Sequence, residues 1–326
     1  MDLRLTPFIG VPVIDWLGGT AGPFSGPTPN LQSWITDSNH DAYLCPHDLF
    51  DIQKNKGYLS ELLKLATNNY VIVSNRGDKP IHLCHPRIIS FQTSIEVGTY
   101  CSNHPTIVVP YNVEVNSTLI SRAFPNQPTT SFVGYVPSLT LGRLWRSFFP
   151  FPPRIIKRNG ALIRRIGLRS LSKISGSKII AHNSYSATHK IAREEPDRRE
   201  QYAQSIIDSD LVFAPRGDGN SSQRLYETLA SGRVPIIPNT DMFLPRILEE
   251  MSSRFILFVN PTSNDLDQAV ELFWEGLDEE RYLQLQREIF DFYNTELRYK
   301  DFIERLFSLS VDEMLDKYTT IYRPIS

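Results

Sequence analysis

Arg216, Gly217, Gly219, Ser222 and Arg224 stand close together between two short apolar runs, at 211–214 and 234–237. Their chemistry suits the capture of an anion. The two glycines remove Cβ atoms from a turn, so backbone can approach a ligand closely. Asn220, Ser221 or Ser222 can cap a helix running to Ser231, whose first N–H groups lack a backbone partner. An anion at such a terminus is held by those free amides and by the helix dipole. Arg216 and Arg224 flank the point and carry guanidinium groups whose fork matches phosphate oxygens.

The elements that must position these residues follow from the same stretch. Residues 211–214 read as a buried strand, which Pro215 and the glycines terminate. Gly232 suits the left-handed stop after the last helical turn. Residues 234–237 then begin a second buried strand. A strand–loop–helix–strand unit of this kind belongs to a parallel sheet, with the loop at its carboxyl edge. Upstream, residues 8–14, 70–74, 87–91 and 106–109 read as strands, 58–66 as a helix and 75–78 as a turn. Downstream of a Pro-, Asn- and Gln-rich stretch at 125–128, residues 129–135, 178–181 and 255–259 read as strands. Helices are expected at 194–207, 266–273, 279–293 and 300–314. The pattern predicts two α/β units, 1–125 and 126–326, the second alternating strand and helix as a doubly wound sheet does.

The chain has 326 residues, 41% hydrophobic and 21% charged, the composition of a globular protein. No apolar run has membrane-spanning length, and no cationic segment precedes a clear hydrophobic one near the start. Three cysteines, Cys45, Cys84 and Cys101, are odd in number and lack CxxC spacing, which favours a reducing, cytoplasmic setting. The net charge of −2 conceals an asymmetry. Residues 115–193 hold 13 Lys or Arg and no Asp or Glu, where roughly nine acids would be expected. The densest part, 154–178, fits an exposed helix face, an anionic nucleotide, an anionic acceptor or peripheral contact with an anionic membrane. Few aromatic residues interrupt it, so stacking on nucleic-acid bases is not expected.

Pro215-Arg216-Gly217, Ser222-x-Arg224, Glu227 and Gly232-x-x-Pro235 resemble the signature of the exostosin family of glycosyltransferases. Three further segments resemble that family in the same order: Ile107-Val-Val-Pro-Tyr111, Phe132-Val-Gly134 followed by Arg164-Arg165, and Leu244-Pro245. The resemblance implies a GT-B fold, with two Rossmann-like domains facing a cleft. The nucleotide-sugar donor would sit on residues 126–326 and the glycan acceptor mainly on 1–125. It implies transfer of a sugar, from a UDP-sugar by preference, to an acceptor hydroxyl with inversion. Gly134, Arg164, Arg165, Arg216, Gly217, Gly219, Ser222, Arg224, Glu227 and Asp241 would bind the donor. Within that set Glu227 would accept bonds from the ribose hydroxyls, and Arg216 or Arg224 would neutralise the leaving diphosphate. Arginine in that role makes a metal ion or other cofactor unnecessary. Two departures stand out: Asn69-Tyr70 replaces the family's Asp-His pair, and the membrane anchor of animal and plant members is missing. The first leaves open a glycan-binding or scaffold protein that keeps the fold without turnover. The second points to a bacterial or viral type.

Ordinary readings compete with several of these roles. Arg224 and Glu227 also fit a helical ion pair at i, i+3, worth about 0.2–0.5 kcal/mol. Arg164 and Arg165 also fit a surface helix. An inverting transferase needs a base for the acceptor hydroxyl. Asp15 and Asp78, each after a first-unit strand, and His104 are the candidates. His82, Cys84, His85, Cys101 and His104 contain enough ligands for zinc, but their spacing matches no common zinc motif.

Overall fold

Short parallel strands with alternately directed side chains form two sheets. The computed structural model describes residues 3–5, 42–49, 56–75, 83–113, 118–136, 156–182 and 196–321. The first sheet contains β1 (Leu3–Leu5), β2 (Ala42–Asp48), β3 (Tyr70–Asn75), β4 (Ile88–Gln92) and β5 (Thr106–Val108), neighbouring one another in chain order. The second contains β6 (Thr129–Tyr135), β7 (Gly176–His182), β8 (Leu211–Phe213), β9 (Val234–Pro238) and β10 (Leu257–Val259), in the order β10-β9-β8-β6-β7. Both sheets are parallel throughout their described strands. This is the α/β, two-unit layout expected of a GT-B fold.

In the second unit the helices are α2 (Gly160–Leu171), α3 (Pro196–Ile207), α4 (Gln223–Ala230), α5 (Arg246–Phe255), α6 (Leu266–Glu275) and α7 (Glu279–Phe292); α1 (Lys56–Leu65) precedes them in the first. A π-helical turn, Tyr293–Leu297, leads to a last pair, α8 (Tyr299–Ser308) and α9 (Val311–Tyr318). The sequence pattern runs that pair together as 300–314. They are separate because Ser310 starts a new helix: Glu313 N–H donates to Ser310 Oγ, and the Glu313 carboxylate accepts from Ser310 N. The pattern also passes over β2 and α5, and its strand at 8–14 lies outside the described residues. Gly232 has φ +65°, the left-handed stop expected of it. A Cβ there would come within 2.6 Å of Leu119 Cδ1 and 2.8 Å of Gln286 O.

The period of two along each strand decides which helix covers which face. In the first sheet Val71, Val73, Ile88 and Cys45 point to one side, against α1. Ala42, Leu44, Ile72, Ile89, Phe91 and Ile107 point to the other. That second face is covered from the far end of the chain. Helix α8 supplies Phe302, Ile303, Leu306 and Phe307, and α9 supplies Val311, Met314 and Tyr318. Beyond them Thr320 donates its N–H to Thr106 O (2.8 Å) and accepts at Oγ1 from Val108 N (3.3 Å), closing the edge of β5. Sequence order alone assigns these helices to the second unit. A parallel sheet with a bare apolar face is unstable in water, and the returning helices remove that face from solvent.

Asp210 ties the start of the second sheet together. Its buried carboxylate accepts from Thr129 N (2.7 Å), Thr129 Oγ1 (2.7 Å), Arg122 Nε (2.9 Å) and the Tyr282 hydroxyl (2.5 Å). Connector, β6, β8 and α7 all meet on one side chain. Asp210→Ala leaves a half-buried cation and buried donors without their acceptor, so it should cost about 1–3 kcal/mol. Urea unfolding should show the midpoint falling accordingly; a change within error would contradict this role.

Candidate functional site

Strand order places the crevice. Within the second unit the strands run 2-1-3-4-5, so successive connections leave β6 and β8 in opposite directions. Ligands in open α/β sheets bind at that switch point, outside the carboxyl ends of the two strands. Gly134 and Tyr135 end β6, and Ala214, Pro215 and Arg216 follow β8, so the sequence motif arrives where topology opens a crevice.

The two strands part early. Their pairing reaches only Ser131↔Val212, while β6 continues to Tyr135. The carbonyls beyond the ladder require other donors, and Arg224 provides them. It donates from Nη2 to Val133 O (2.6 Å), from Nη1 to Phe213 O (3.1 Å) and from Nε to the Tyr202 hydroxyl (3.2 Å). Its guanidinium also lies 4.5 Å from the centre of the Phe132 ring and 5.1 Å from that of Tyr202. A Cβ at Gly134 would lie 2.9 Å from Arg224 Nη2. Phe132, Gly134 and Arg224, distant in sequence, therefore form one packing unit. Gly134 acts here by making room for Arg224.

Glu227 lies one turn further along α4 and is buried. The direct Arg224–Glu227 ion pair considered from spacing is not the arrangement seen. Tyr202 stands between them, accepting from Arg224 and donating to Glu227 Oε2. Gln223 Nε2 donates to Glu227 Oε1 (3.2 Å). Burial, outweighing these donors, holds the Glu227 carboxyl above its usual range. Burial and the adjacent carboxylate push the Tyr202 phenol up, so it remains a neutral donor. Nothing in the sequence marked Tyr202; it sits on another helix, and only the fold brings it to Glu227.

Arg216 is 5% exposed. Its Nη1 donates to Lys157 O (3.1 Å), and its Nη2 to Asp218 O (3.3 Å) and to the Glu96 carboxylate of the first unit. Arg216 Nε and Ser221 Oγ are buried and have no hydrogen-bond partner among the described residues. Ser222 is the N-cap of α4, yet its hydroxyl makes no capping bond to the helix. At Gly217 a Cβ would meet nothing closer than Ser221 O at 3.8 Å, an ordinary van der Waals contact. Gly219 completes that turn and is buried. One guanidinium edge, one hydroxyl and the first amides of α4 are thus grouped at the carboxyl edge of β8.

The walls come from neighbouring loops. Asn220 Nδ2 donates to Thr240 O and Asp241 O, and Thr240 Oγ1 donates back to Asn220 Oδ1. Asp241 adopts φ +56°, a left-handed conformation that Asp tolerates better than most residues. Its carboxylate accepts from Lys157 Nζ (2.7 Å). Helix α2 begins against the turn that follows β8: a Cβ at Gly160 would lie 3.0 Å from Gly217 O. Arg164 donates to Tyr135 O (2.8 Å) and Arg216 O (3.3 Å), bridging the ends of β6 and β8, and Arg165 is half-buried on the same helix.

No protein-family model matches the chain, and no curated protein does. Similar solved structures include a mutant of S. aureus TarM in complex with Fondaparinux, alpha-GlcNAc-glycerol and UDP, at 11% identity and TM-score 0.39. That match covers 86% of this chain and 57% of the other, so this chain spans little more than half its length. A glycosyltransferase from Rickettsia africae ESF-5 matches at 10% identity and TM-score 0.38, over 87% of this chain and 78% of that one. AviGT4, a glycosyltransferase involved in avilamycin A biosynthesis, matches at 12% identity and TM-score 0.40, over 89% of this chain and 79% of that one.

The first unit places His104 away from the crevice. It precedes β5, at the amino end of the strand, and is buried. Its Nδ1 donates to His85 O (3.2 Å), leaving Nε2 to accept from Ser90 Oγ (2.9 Å). Burial lowers its pKa, which favours the neutral ring. His104 is a core histidine and is corrected as a base candidate; Asp15 and Asp78 lie outside the described residues. Cys84 and Cys101 are joined in a disulfide with Cα atoms 5.8 Å apart. Both sulfurs are therefore withdrawn from the zinc cluster considered above, and the pairing removes the cysteine argument for a reducing setting; Cys45 is a buried thiol outside that disulfide. Sequence reasoning missed the pairing because 17 residues and a strand separate the two cysteines.

The acid-free run has a structural use. Lys157, Lys173 and Lys178 pair with Asp241, Asp267 and Asp208, all from later in the chain. On the inner face of α2, Gly167 lies against Phe213, where a Cβ would approach within 2.2 Å of the ring. Among the described residues no helix is long and apolar enough to cross a membrane.

Gly134→Ala should push the Arg224 guanidinium from Val133 O and cost about 1–3 kcal/mol, the range for overpacking a tight site. Thermal and denaturant unfolding would measure it; unchanged stability would show that Arg224 does not depend on the space at Gly134.

Proposed function

We propose that the chain is a glycosyltransferase of exostosin type that moves a sugar from a nucleotide donor, a UDP-sugar by preference, to a glycan hydroxyl with inversion and without a metal ion. One observation carries the reading: at the switch point of the second sheet, a buried arginine and a buried serine each keep an unpartnered polar atom beside the start of α4. Buried polar atoms are almost always satisfied, and a diphosphate would satisfy these two together with the helix amides. The exostosin-like order of Arg216, Arg224 and Glu227 supports the choice of donor.

The chemistry divides among the chain's own residues. Transfer forms a bond from the acceptor oxygen to the anomeric carbon, breaks the bond from that carbon to the diphosphate, and passes the acceptor's hydroxyl proton to a base, for which Asp15 and Asp78 remain the candidates. Negative charge grows on the departing phosphate oxygen. A preorganised guanidinium and helix amides stabilise that charge more than they stabilise the bound substrate. In this reading Arg216 has that role. Arg224 acts at one remove, holding the ends of β6 and β8 in place, with Tyr202 relaying its charge to Glu227. Glu227, as a carboxylate, accepts from the ribose hydroxyls.

UDP or a UDP-sugar at millimolar concentration should raise the melting temperature. Arg216→Ala and Glu227→Ala should each lower turnover by at least about a hundredfold, the effect typical of losing one such contact. Indifference to UDP, GDP and their common sugars would remove the proposal. Indifference of turnover to both substitutions would remove the site assignment.

A pH dependence follows from burial of Glu227. Its raised pKa means the acceptor form is lost, as pH falls, at higher pH than for an exposed glutamate. Nucleotide affinity should therefore drop on acidification above the ordinary carboxylate range. Tyr202→Phe removes a bond that favours the charged form, so the acid limb should move to still higher pH. Calorimetric titrations across the weakly acidic to neutral range would test this; a limb that does not move in Tyr202→Phe would exclude Glu227 as its source.

A further inference from the structure

The contact between Glu96 and Arg216 joins the two units at the candidate site itself. Glu96 follows β4 and opens the 3₁₀ turn Val97–Thr99, where its carbonyl accepts from Thr99 N (2.8 Å) and Thr99 Oγ1 (2.9 Å). The turn is gripped from the second unit. Phe243, from the loop after β9, packs with Ile95 and Val108 and stacks on Tyr100 with ring centres 5.2 Å apart. On its other side, a Cβ at Gly98 would lie 3.2 Å from Arg158 Nη2. Apolar packing therefore delivers the Glu96 carboxylate to Arg216. The Arg216 side chain is 4% exposed and that of Glu96 23%, so the pair is partly withdrawn from water.

We propose that Glu96 is an internal stand-in for the donor's diphosphate, competing with it for Arg216. The inference rests on the reading of Arg216 as the anion-binding residue. A buried guanidinium needs a counter-charge. Glu96 supplies one from the first unit, and a diphosphate beside Arg216 Nε and Ser221 Oγ would supply another. A carboxylate and a diphosphate on one guanidinium repel each other, so arrival of the second weakens the first. Donor binding and the ionic contact between the units are thereby coupled. Apparent affinity for the anion is reduced by the fraction of molecules in which Glu96 holds Arg216. Release of Glu96 also frees a carboxylate on the acceptor side at the moment the donor is seated.

The test is calorimetric binding of UDP and of inorganic pyrophosphate to the full chain and to Glu96→Gln and Glu96→Asp, with the melting temperature recorded for each. Glu96→Gln should bind both probes about tenfold more tightly, the gain expected when a competing state that holds roughly nine molecules in ten is removed. Its own melting temperature should fall, and pyrophosphate should raise it by more than in the parent. Glu96→Asp, whose carboxylate is one methylene shorter, should change in the same direction by less, and serves as the readout if Glu96→Gln does not fold. Binding to Glu96→Gln but not to the parent also supports the proposal. Binding to both with equal or weaker affinity in Glu96→Gln overturns the stand-in and leaves the anion-site reading intact. Failure of both probes to bind any of the three proteins overturns both.

Discussion

The divergence of β6 and β8 is the feature on which the site depends. Parallel strands that separate leave carbonyls without ladder donors, and in a crevice those carbonyls cannot all be left to water. Arg224 occupies the fork, reaching Val133 O and Phe213 O from one guanidinium. Because it extends from the first turn of α4, it also ties that helix to both strand ends. Arg164 repeats the device one step further out, between Tyr135 O and Arg216 O. Both cations thus bond to backbone at the ends of the two strands, while Arg216 reaches Glu96.

The two units are bound together by more than the connector between them. The chain leaves the first sheet, builds the second and returns with α8 and α9 to bury Ile72, Ile89, Phe91 and Ile107. The first sheet therefore has no covered second face until the end of the chain is in place. Near the crevice the contact is finer, consisting of Phe243 among Ile95, Val108 and Tyr100, with Glu96 reaching Arg216. The apolar part fixes the turn that carries Glu96.

Much of the second unit was legible along the chain. Strand 129–135, the strand–turn–helix at 211–230 and the glycine stop at 232 depend on local patterns: apolar runs, Pro and Gly punctuation, and a helix cap. Strand β2 was less legible because Pro46, His47 and Asp48 interrupt its apolar pattern. Helix α5 was obscured by Pro245, which marks its N-cap position and reads as a break. The fold divides the expected donor-side residues among different contacts. Gly134 and Arg224 support the crevice, while Tyr202 and Glu96 joined without any local signal. His104 precedes β5 in the chain, so its place at the amino end was already legible; the fold added its burial and its bonds to His85 and Ser90.

What the sequence determined by itself was therefore the local unit: a glycine-containing turn between two buried strands, with a helix start, a stop and flanking charges. These depend on interactions within a few residues, where backbone sterics and side-chain type suffice. Tertiary structure alone decided the order 2-1-3-4-5 that makes a crevice, the return of α8 and α9, and the pairing of Cys84 with Cys101. It also decided the division of three charges: Arg224 to backbone, Glu227 to Tyr202, and Arg216 to Glu96 across the units. A buried charge takes whichever counter-group packing brings within reach, and that reach runs through space across 120 residues of chain.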